Sequence, residues 1–161
     1  MGQPIGRVAL VVLVCQLAAL DDTVRQLSDV LDVHDWDGPA DLPYLGLRNA
    51  VSHGSGLEIV APLTDSSSLA THLRERGPGV YAIVFGVRSI EQAVRRAAEH
   101  GVGPAGQVEG LPAVGILDSL LLNDGGPVYP TYPSRFAVHR QALLQPMAGV
   151  QMILGQLEPI P

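Results

Sequence analysis

The sequence contains no lysine, since all ten cationic side chains among its 161 residues are arginines. Schiff-base catalysis, the anchoring of pyridoxal phosphate and the phosphate-binding lysine of a P-loop all require a lysine amine, so these chemistries are excluded. The single cysteine, Cys15, excludes an intrachain disulfide and a zinc site built from several cysteines.

Positive charge is also scarce, with ten arginines against 16 acidic residues and a formal net charge of −6. Nucleic-acid binding needs a basic surface, so we expect no nucleic-acid partner. The apolar run near the N-terminus, residues 8–15, is too short to span a bilayer, and a signal-peptide cleavage site is only weakly marked. The sequence therefore predicts a cytoplasmic protein with no membrane partner.

Apolar residues are abundant in the chain. Hydrophobic residues make up 47% of the chain and charged residues 16%, which is typical of a folded globular domain. Residues 8–15 are largely β-branched and predict a strand covered on both faces. Further strands are predicted at 44–52, 57–61, 80–87, 113–122 and 150–154, and helices at 21–31, 69–76 and 90–100. Residues 34–39 are interpreted as a solvated polar loop.

The predicted elements repeat, because strand, helix and then further strands occur twice along the chain. This order predicts an α+β fold built of two βαβββ modules within one domain spanning residues 1–161. The first module covers residues 7–62 and the second 79–157, with a linker helix in 63–78.

Two stretches carry a resemblance to a known family. Residues 46–51 (GLRNAV) and 56–62 (GLEIVAP) look like the second and third strands of glyoxalase-like proteins. Residues 73–77 (LRERG) and 90–94 (IEQAV) look like the entry to the second module and also resemble methylmalonyl-CoA epimerases. The chain thus resembles the vicinal-oxygen-chelate (VOC) superfamily, the glyoxalase and bleomycin-resistance fold, in which two half-barrel sheets enclose a cleft for a small molecule.

The resemblance also implies where the superfamily's divalent metal would bind, on the first and last strand of each module. These positions fall at Leu10 (or Val12), Glu58, Ala82 and about Ile153. Only Glu58 offers a lone pair, whereas a catalytic metal needs about three protein ligands. We therefore expect no metal site of the family type and no cofactor.

Glu58 is the leading catalytic candidate, because it lies in an apolar strand at a position that the resemblance places in the cleft. An unpaired buried carboxylate takes a raised pKa, which suits a general base near neutral pH. The alternative is a structural ion pair with Arg48. Arg48 and Asn49 are substrate-binding candidates, and only one of these adjacent strand residues can point into the cleft.

Three of the remaining candidates follow the predicted hairpin turn of the second module. His139 is a second catalytic candidate, preceded by an aromatic-rich segment that contains Tyr132 and Arg135. That segment is interpreted either as a lid that contacts substrate or as a proline-stiffened surface loop. His53, at a predicted hairpin tip, is a further substrate-binding candidate, although an exposed turn histidine is the more frequent finding.

The leading hypothesis is a metal-independent enzyme that acts by proton transfer, as an isomerase, lyase or cyclase, on a small apolar metabolite with a carbonyl or carboxylate. One alternative is a protein that sequesters a drug or metabolite without chemistry. Another is a metal enzyme with atypical ligands such as His53, Glu58 and His139. A homodimer is compatible with each hypothesis.

Overall fold

The computed structural model describes residues 6–103, 117–118 and 136–161. In chain order its strands and helices are β1 (Val8–Val14), α1 (Leu20–Leu31), β2 (Asp37–Leu42), β3 (Leu47–Ser52), β4 (Leu57–Pro62), α2 (Ser68–Arg76), β5 (Gly79–Gly86), α3 (Ile90–Glu99), β6 (Leu117–Asp118), β7 (Phe136–Met147) and β8 (Val150–Pro159). The order βαβββ therefore occurs twice, with α2 between the repeats, which confirms the predicted α+β fold.

The strands of the described residues form one eight-stranded sheet in the order β2-β3-β4-β1-β5-β8-β7-β6. The first strands of the two modules, β1 and β5, pair antiparallel at the centre. Each is parallel to the last strand of its own module, β1 to β4 and β5 to β8. A parallel pair needs a long crossover, and the α1 and α3 segments lie within these connections.

The sheet is strongly curled. β3 and β7 are five strands apart in the sheet order, a separation of about 24 Å in a flat sheet. His53, in the turn after β3, nevertheless contacts Phe136 of β7, with ring centroids 4.8 Å apart. The two ends of the sheet therefore face each other across its inner surface, where Leu42, Phe136 and Leu157 form a buried cluster.

Each face of the sheet has its own core. On the outer face, Leu20 and Val24 of α1 pack with Ala50, Ile59 and Ala61. The inner face is called the concave face below. Its centre is formed by alternate residues of β1 and β5, which are Leu10, Val12, Val14, Ala82 and Val84. Alternation along a strand thus explains why β1 is apolar throughout, because both of its faces are covered.

The helix starts follow local sequence signals. Ser89 caps α3 and accepts a hydrogen bond from the Gln92 backbone N–H at 3.3 Å. Ser67 caps α2 in the same way, through the Ala70 N–H at 3.1 Å. Among the described residues, no helix combines the length and the hydropathy that a membrane span requires.

The predicted elements need correction at four places. Residues 37–42, within and after the predicted loop, form β2, because their backbone pairs with β3. β7 was not predicted at all, and the last strand ends at Pro159 rather than at residue 154, because β7 and β8 pair along most of their length. β3 begins at Leu47, after a short 3-10 turn at Pro43–Leu45. The predicted strand 113–122 lies outside the described residues except for 117–118.

Candidate functional site

The concave face carries an amide and a carboxyl group from neighbouring strands. Glu58 of β4 pairs with Val12 on one side and with Val51 of β3 on the other. Asn49 of β3 pairs with Val60 of β4. Directly paired residues share a face, and Val12, Val51 and Val60 belong to the concave core. Glu58 and Asn49 therefore project from that same apolar surface.

These two side chains are joined by a hydrogen bond. Asn49 Nδ2 donates to Glu58 Oε1 at 2.8 Å. The Glu58 residue as a whole is half-buried, but its carboxyl group is enclosed by protein, and this burial raises the pKa of Glu58. The hydrogen bond from Asn49 opposes part of that rise. A carboxyl group held in this way is a stronger base than an exposed one and is suited to accepting a proton near neutral pH.

The other end of the Asn49 amide is less well satisfied. Asn49 is 3% exposed, and its Oδ1 has no hydrogen-bond donor among the residues that the structure describes. A buried carbonyl oxygen normally accepts at least one hydrogen bond. Beside the Glu58 carboxyl, the amide nitrogen is therefore hydrogen-bonded, whereas the amide oxygen can accept a hydrogen bond from a ligand.

A second group on the concave face is aromatic. His53 and His139 lie with ring centroids 6.5 Å apart, and Phe136 contacts His139 at 5.2 Å. His139 is 3% exposed, and burial, followed by the charge of His53, lowers the pKa of His139 to about 3. His139 is consequently a neutral imidazole at neutral pH, which can donate a hydrogen bond to a carbonyl oxygen without carrying charge.

Asp35 fixes the turn that holds His53. Its carboxylate accepts hydrogen bonds from Ser52 Oγ at 2.5 Å and from the Gly54 backbone N–H at 3.0 Å. A Cβ atom at Gly54 would come within 2.5 Å of Asp35 Oδ2, so a larger residue here would displace the Asp35 carboxylate. Asp35 is exposed and lies in a loop, as predicted for residues 34–39, and it is in addition a structural part of the His53 turn.

Asp37 is a residue of the concave face that the sequence reasoning missed. It is 5% exposed and pairs with Val51, which places it two strands from Glu58. The adjacent Trp36 packs against the α1 side of the sheet. Alternation between an apolar Trp36 and flanking acids is a period of two, and this signal could have indicated a strand with Asp37 on its inner face.

Arg48 lies on the opposite face from Asn49. Its guanidinium donates to Asp41 at 2.9 Å and to Asp21 of α1 at 3.3 Å. The ion pair considered between Arg48 and Glu58 is therefore not the arrangement in the structure, and Asn49 is the member of the adjacent pair on the concave face. Tyr132 and Arg135 lie outside the described residues. The roles predicted for all of these site residues stay predictions.

The positions carried over for a metal do not fit one. Val12 and Ala82 pair with each other beside Glu58, and Ile153 pairs with Val84, so the side chains at the other carried-over positions are hydrocarbon. Within residues 6–103, 117–118 and 136–161, no three His, Cys, Asp or Glu side chains are grouped as metal ligands. His53, Glu58 and His139 are accordingly not assembled into the atypical site considered above.

The chain is similar in structure to proteins of the VOC superfamily. Methylmalonyl-CoA epimerase from Mycobacterium tuberculosis matches with a TM-score of 0.63 and 20% identity over 100% of this chain and 94% of that chain. A variant of the Streptomyces coelicolor epimerase, in complex with 2-nitronate-propionyl-CoA, matches with a TM-score of 0.64 and 18% identity over 98% and 100%. A hypothetical protein from Bacillus halodurans C-125 matches with a TM-score of 0.62 and 21% identity over 93% of both chains.

These similarities show that the chain has the VOC fold, as the sequence resemblance predicted. No protein-family profile matches the sequence, and no curated protein matches it.

Proposed function

We propose that the chain is an enzyme that transfers a proton within a small, largely apolar metabolite bearing a carbonyl or carboxylate group. Glu58 acts as the general base, and the reaction is of the isomerase, lyase or cyclase type. The observation that carries this proposal is the Glu58 carboxyl group, enclosed on an apolar concave face with Asn49 as its hydrogen-bond donor. A carboxylate used only for stability would gain nothing from such desolvation.

The reaction begins at a carbon next to the substrate's carbonyl. Ionised Glu58 takes the C–H proton, the bonding electron pair forms a carbon–carbon double bond, and the carbonyl oxygen becomes an enolate oxygen. Returning the proton to a different face or carbon completes an isomerisation, whereas loss of a neighbouring leaving group completes an elimination. The enolate oxygen needs a hydrogen-bond donor, a role that the neutral imidazole of His139 can fill from the facing part of the sheet.

The structural neighbours support the reaction type. Several of them are methylmalonyl-CoA epimerases, and epimerisation is a proton transfer at carbon. The shared fold does not carry their substrate over to this chain, so methylmalonyl-CoA is one probe among several.

Sequestration of an unreacted small molecule is the second candidate function. The apolar floor of Leu10, Val12, Ala82 and Val84 would serve a binding protein equally well. The two functions differ at Glu58, because a binding protein has no need of a base there.

Proton exchange in D2O separates these functions. Methylmalonyl-CoA, propiophenone and 2-hydroxyacetophenone are incubated with the protein after dialysis against EDTA, and deuterium incorporation next to the carbonyl is followed by NMR. We expect incorporation into at least one probe that Glu58→Gln lowers by about 10²- to 10⁴-fold, the usual contribution of a general base. Binding without exchange would favour sequestration, and exchange that is lost on EDTA treatment and restored by a divalent ion would favour a metal enzyme.

A further inference from the structure

We infer that the substrate presents a hydrogen-bond donor, a hydroxyl or N–H group, to Asn49 Oδ1, and that this donor is attached to the carbon from which the proton is removed. The substrate class is then an α-hydroxy or α-amino carbonyl compound. This inference rests on the proposed function, because it assigns the substrate of the same site.

The two ends of the Asn49 amide differ in their hydrogen bonding. Its Nδ2 is used by Glu58 at 2.8 Å, while its Oδ1 is buried with no donor in the part of the chain that the structure describes. Leaving a buried acceptor without a donor destabilises the protein. A ligand O–H or N–H group that reaches Oδ1 removes this penalty, whereas a purely apolar ligand does not.

The same sheet contains a second amide that is hydrogen-bonded to a carboxylate. Gln156 of β8 also donates through its Nε2 to a carboxylate, Glu158 Oε1, at 2.6 Å. Its Oε1, however, accepts a hydrogen bond from the Ile90 backbone N–H at 3.0 Å, at the start of α3. Both ends of the Gln156 amide are therefore satisfied by the protein itself, which makes the open end of Asn49 a distinguishing feature of the concave face.

The oxygen and the nitrogen of the Asn49 amide are close to each other. The oxygen and nitrogen of one amide group are about 2.3 Å apart, and Nδ2 already contacts the Glu58 carboxyl. On the side of the amide that faces Glu58, a donor about 2.9 Å from Oδ1 lies beside that carboxyl. A substrate that satisfies Oδ1 and also directs a C–H bond at Glu58 must carry both hydrogens close together. One carbon that bears a hydroxyl or amino group and the acidic hydrogen meets this requirement.

The chemistry of such a substrate balances without a co-reactant. Glu58 takes the proton from the hydroxyl-bearing carbon, and the C–H electron pair becomes the double bond of an enediol whose former carbonyl oxygen carries the charge. The hydroxyl keeps its hydrogen bond to Asn49 Oδ1 throughout. Protonated Glu58 then returns a proton to the same carbon, or in D2O a deuteron that has exchanged into its carboxyl group, and no atom is lost.

The test uses two ketones of nearly equal shape, 2-hydroxyacetophenone and propiophenone, in which a hydroxyl replaces a methyl group. Deuterium incorporation at the carbon next to the carbonyl is measured by NMR in D2O, and each rate is divided by the buffer-catalysed rate for the same ketone. The selectivity is the ratio of the two normalised rates. Because both ketones meet the same Glu58 in a given variant, this ratio is insensitive to a change in the basicity of Glu58.

We expect the unmodified protein to prefer the hydroxyketone by about tenfold or more, as one hydrogen bond to a buried acceptor predicts. Asn49→Leu should reduce the selectivity to about 1 while exchange that depends on Glu58 persists. Asn49→Ala serves as a second variant if the leucine variant fails to fold, as judged by its thermal unfolding. Gln156→Leu is the matched control, since it removes the other amide–carboxylate pair and should leave the selectivity unchanged.

Failure of this inference and failure of the proposed function give different results. Exchange that depends on Glu58 but shows no preference for the hydroxyketone, or a preference that survives both Asn49 variants, overturns this inference and leaves the proposed function intact. Absence of Glu58-dependent exchange with either ketone overturns the inference for this substrate class. Its absence with methylmalonyl-CoA as well counts against the proposed function itself.

Discussion

Two amide–carboxylate pairs in this sheet differ in their surroundings. Asn49 and Glu58 lie on the concave face among valines, whereas Gln156 and Glu158 form an exposed pair. Gln156 uses its oxygen to satisfy the start of α3, so it has a structural function that explains its place. Asn49 and Glu58 anchor no helix end, and their burial is unfavourable for a charged group.

Hydrogen-bond geometry alone therefore does not mark a functional group. Both pairs have normal lengths of 2.6–2.8 Å, but only the concave pair combines a desolvated carboxyl with an open amide oxygen. Burial of polar groups without full satisfaction is destabilising and is found where a site needs it. Variants that alter one pair and spare the other should reveal this contrast in exchange rates and in stability.

The largest expected effect is on proton exchange. Glu58→Gln should lower deuterium incorporation into a carbonyl probe by about 10²- to 10⁴-fold, because an amide cannot accept the proton. Glu158→Gln makes the same chemical change in the exposed pair and should leave the rate within about twofold. Rates are compared by NMR in D2O at equal protein concentration. Equal losses in the two variants would remove the distinction between the pairs.

The buried imidazole on the concave face should make stability depend on acid pH. The pKa of His139 is lowered to about 3 in the folded protein from an ordinary value of 6.5, so the unfolded chain binds the proton first as pH falls. Stability is then full above about pH 6.5 and is lost toward pH 3, by about 3 kcal/mol between pH 6.5 and 4. Urea unfolding across this range should show the loss in the unmodified protein and its absence in His139→Phe. An equal dependence of the unfolding free energy on pH in the two proteins would mean that His139 is hydrated in the folded state.

The two amides should differ in how their removal depends on pH. Burial raises the pKa of Glu58, so ionisation of its carboxylate destabilises the fold as pH rises above the unfolded value, and Asn49 offsets part of that loss. Asn49→Leu should therefore be about 2 kcal/mol more destabilising at a pH where Glu58 is ionised than at a pH where it is protonated, since a hydrogen bond to a charged group is lost only in the ionised state. Gln156→Leu should cost about 1 kcal/mol at both pH values, because the Ile90 N–H at the start of α3 loses its acceptor. Urea unfolding at the two pH values measures both, and a pH-independent loss for Asn49→Leu would contradict the ionised state of Glu58.

The smallest effect is expected at the neighbour of Asn49 in the sequence. Arg48 makes partly exposed ion pairs with Asp41 and Asp21 on the outer side of the sheet. Such pairs contribute about 0–1 kcal/mol, so Arg48→Ala should change stability by less than about 1 kcal/mol and leave deuterium exchange unchanged. A large fall in exchange would show that Arg48 acts at the concave face after all.

Much of the first module was predictable because its signals are local. The unbroken apolar run of β1 and the single carboxylate within the apolar strand β4 indicated a buried sheet and a candidate base. The choice between Arg48 and Asn49 was not predictable, because a shift of one residue in strand register reverses both side chains. Only the pairing of β3 with β4 and β2 settles which one faces inward.

The elements that the sequence reasoning missed depend on distant partners. β2 contains Gly38 and Pro39, which disfavour strands, and it forms because it completes the edge of β3. β7 mixes Arg140 and Gln141 with apolar residues and is held by its long pairing with β8. The contact between His53 and His139 likewise needs the curl of the whole sheet, which no local pattern reports.

Titration of the Glu58 carboxyl group is the decisive measurement, because the proposed reaction depends on a desolvated base. With ¹³C-labelled glutamate and Glu58→Gln to assign the signal, the carboxyl chemical shift is followed by NMR as a function of pH. We expect Glu58 to titrate above its ordinary pKa value of 4.5, and its pKa to rise further in Asn49→Leu. A Glu58 pKa at or below 4.5 would contradict the enclosed carboxyl group from which the function is inferred.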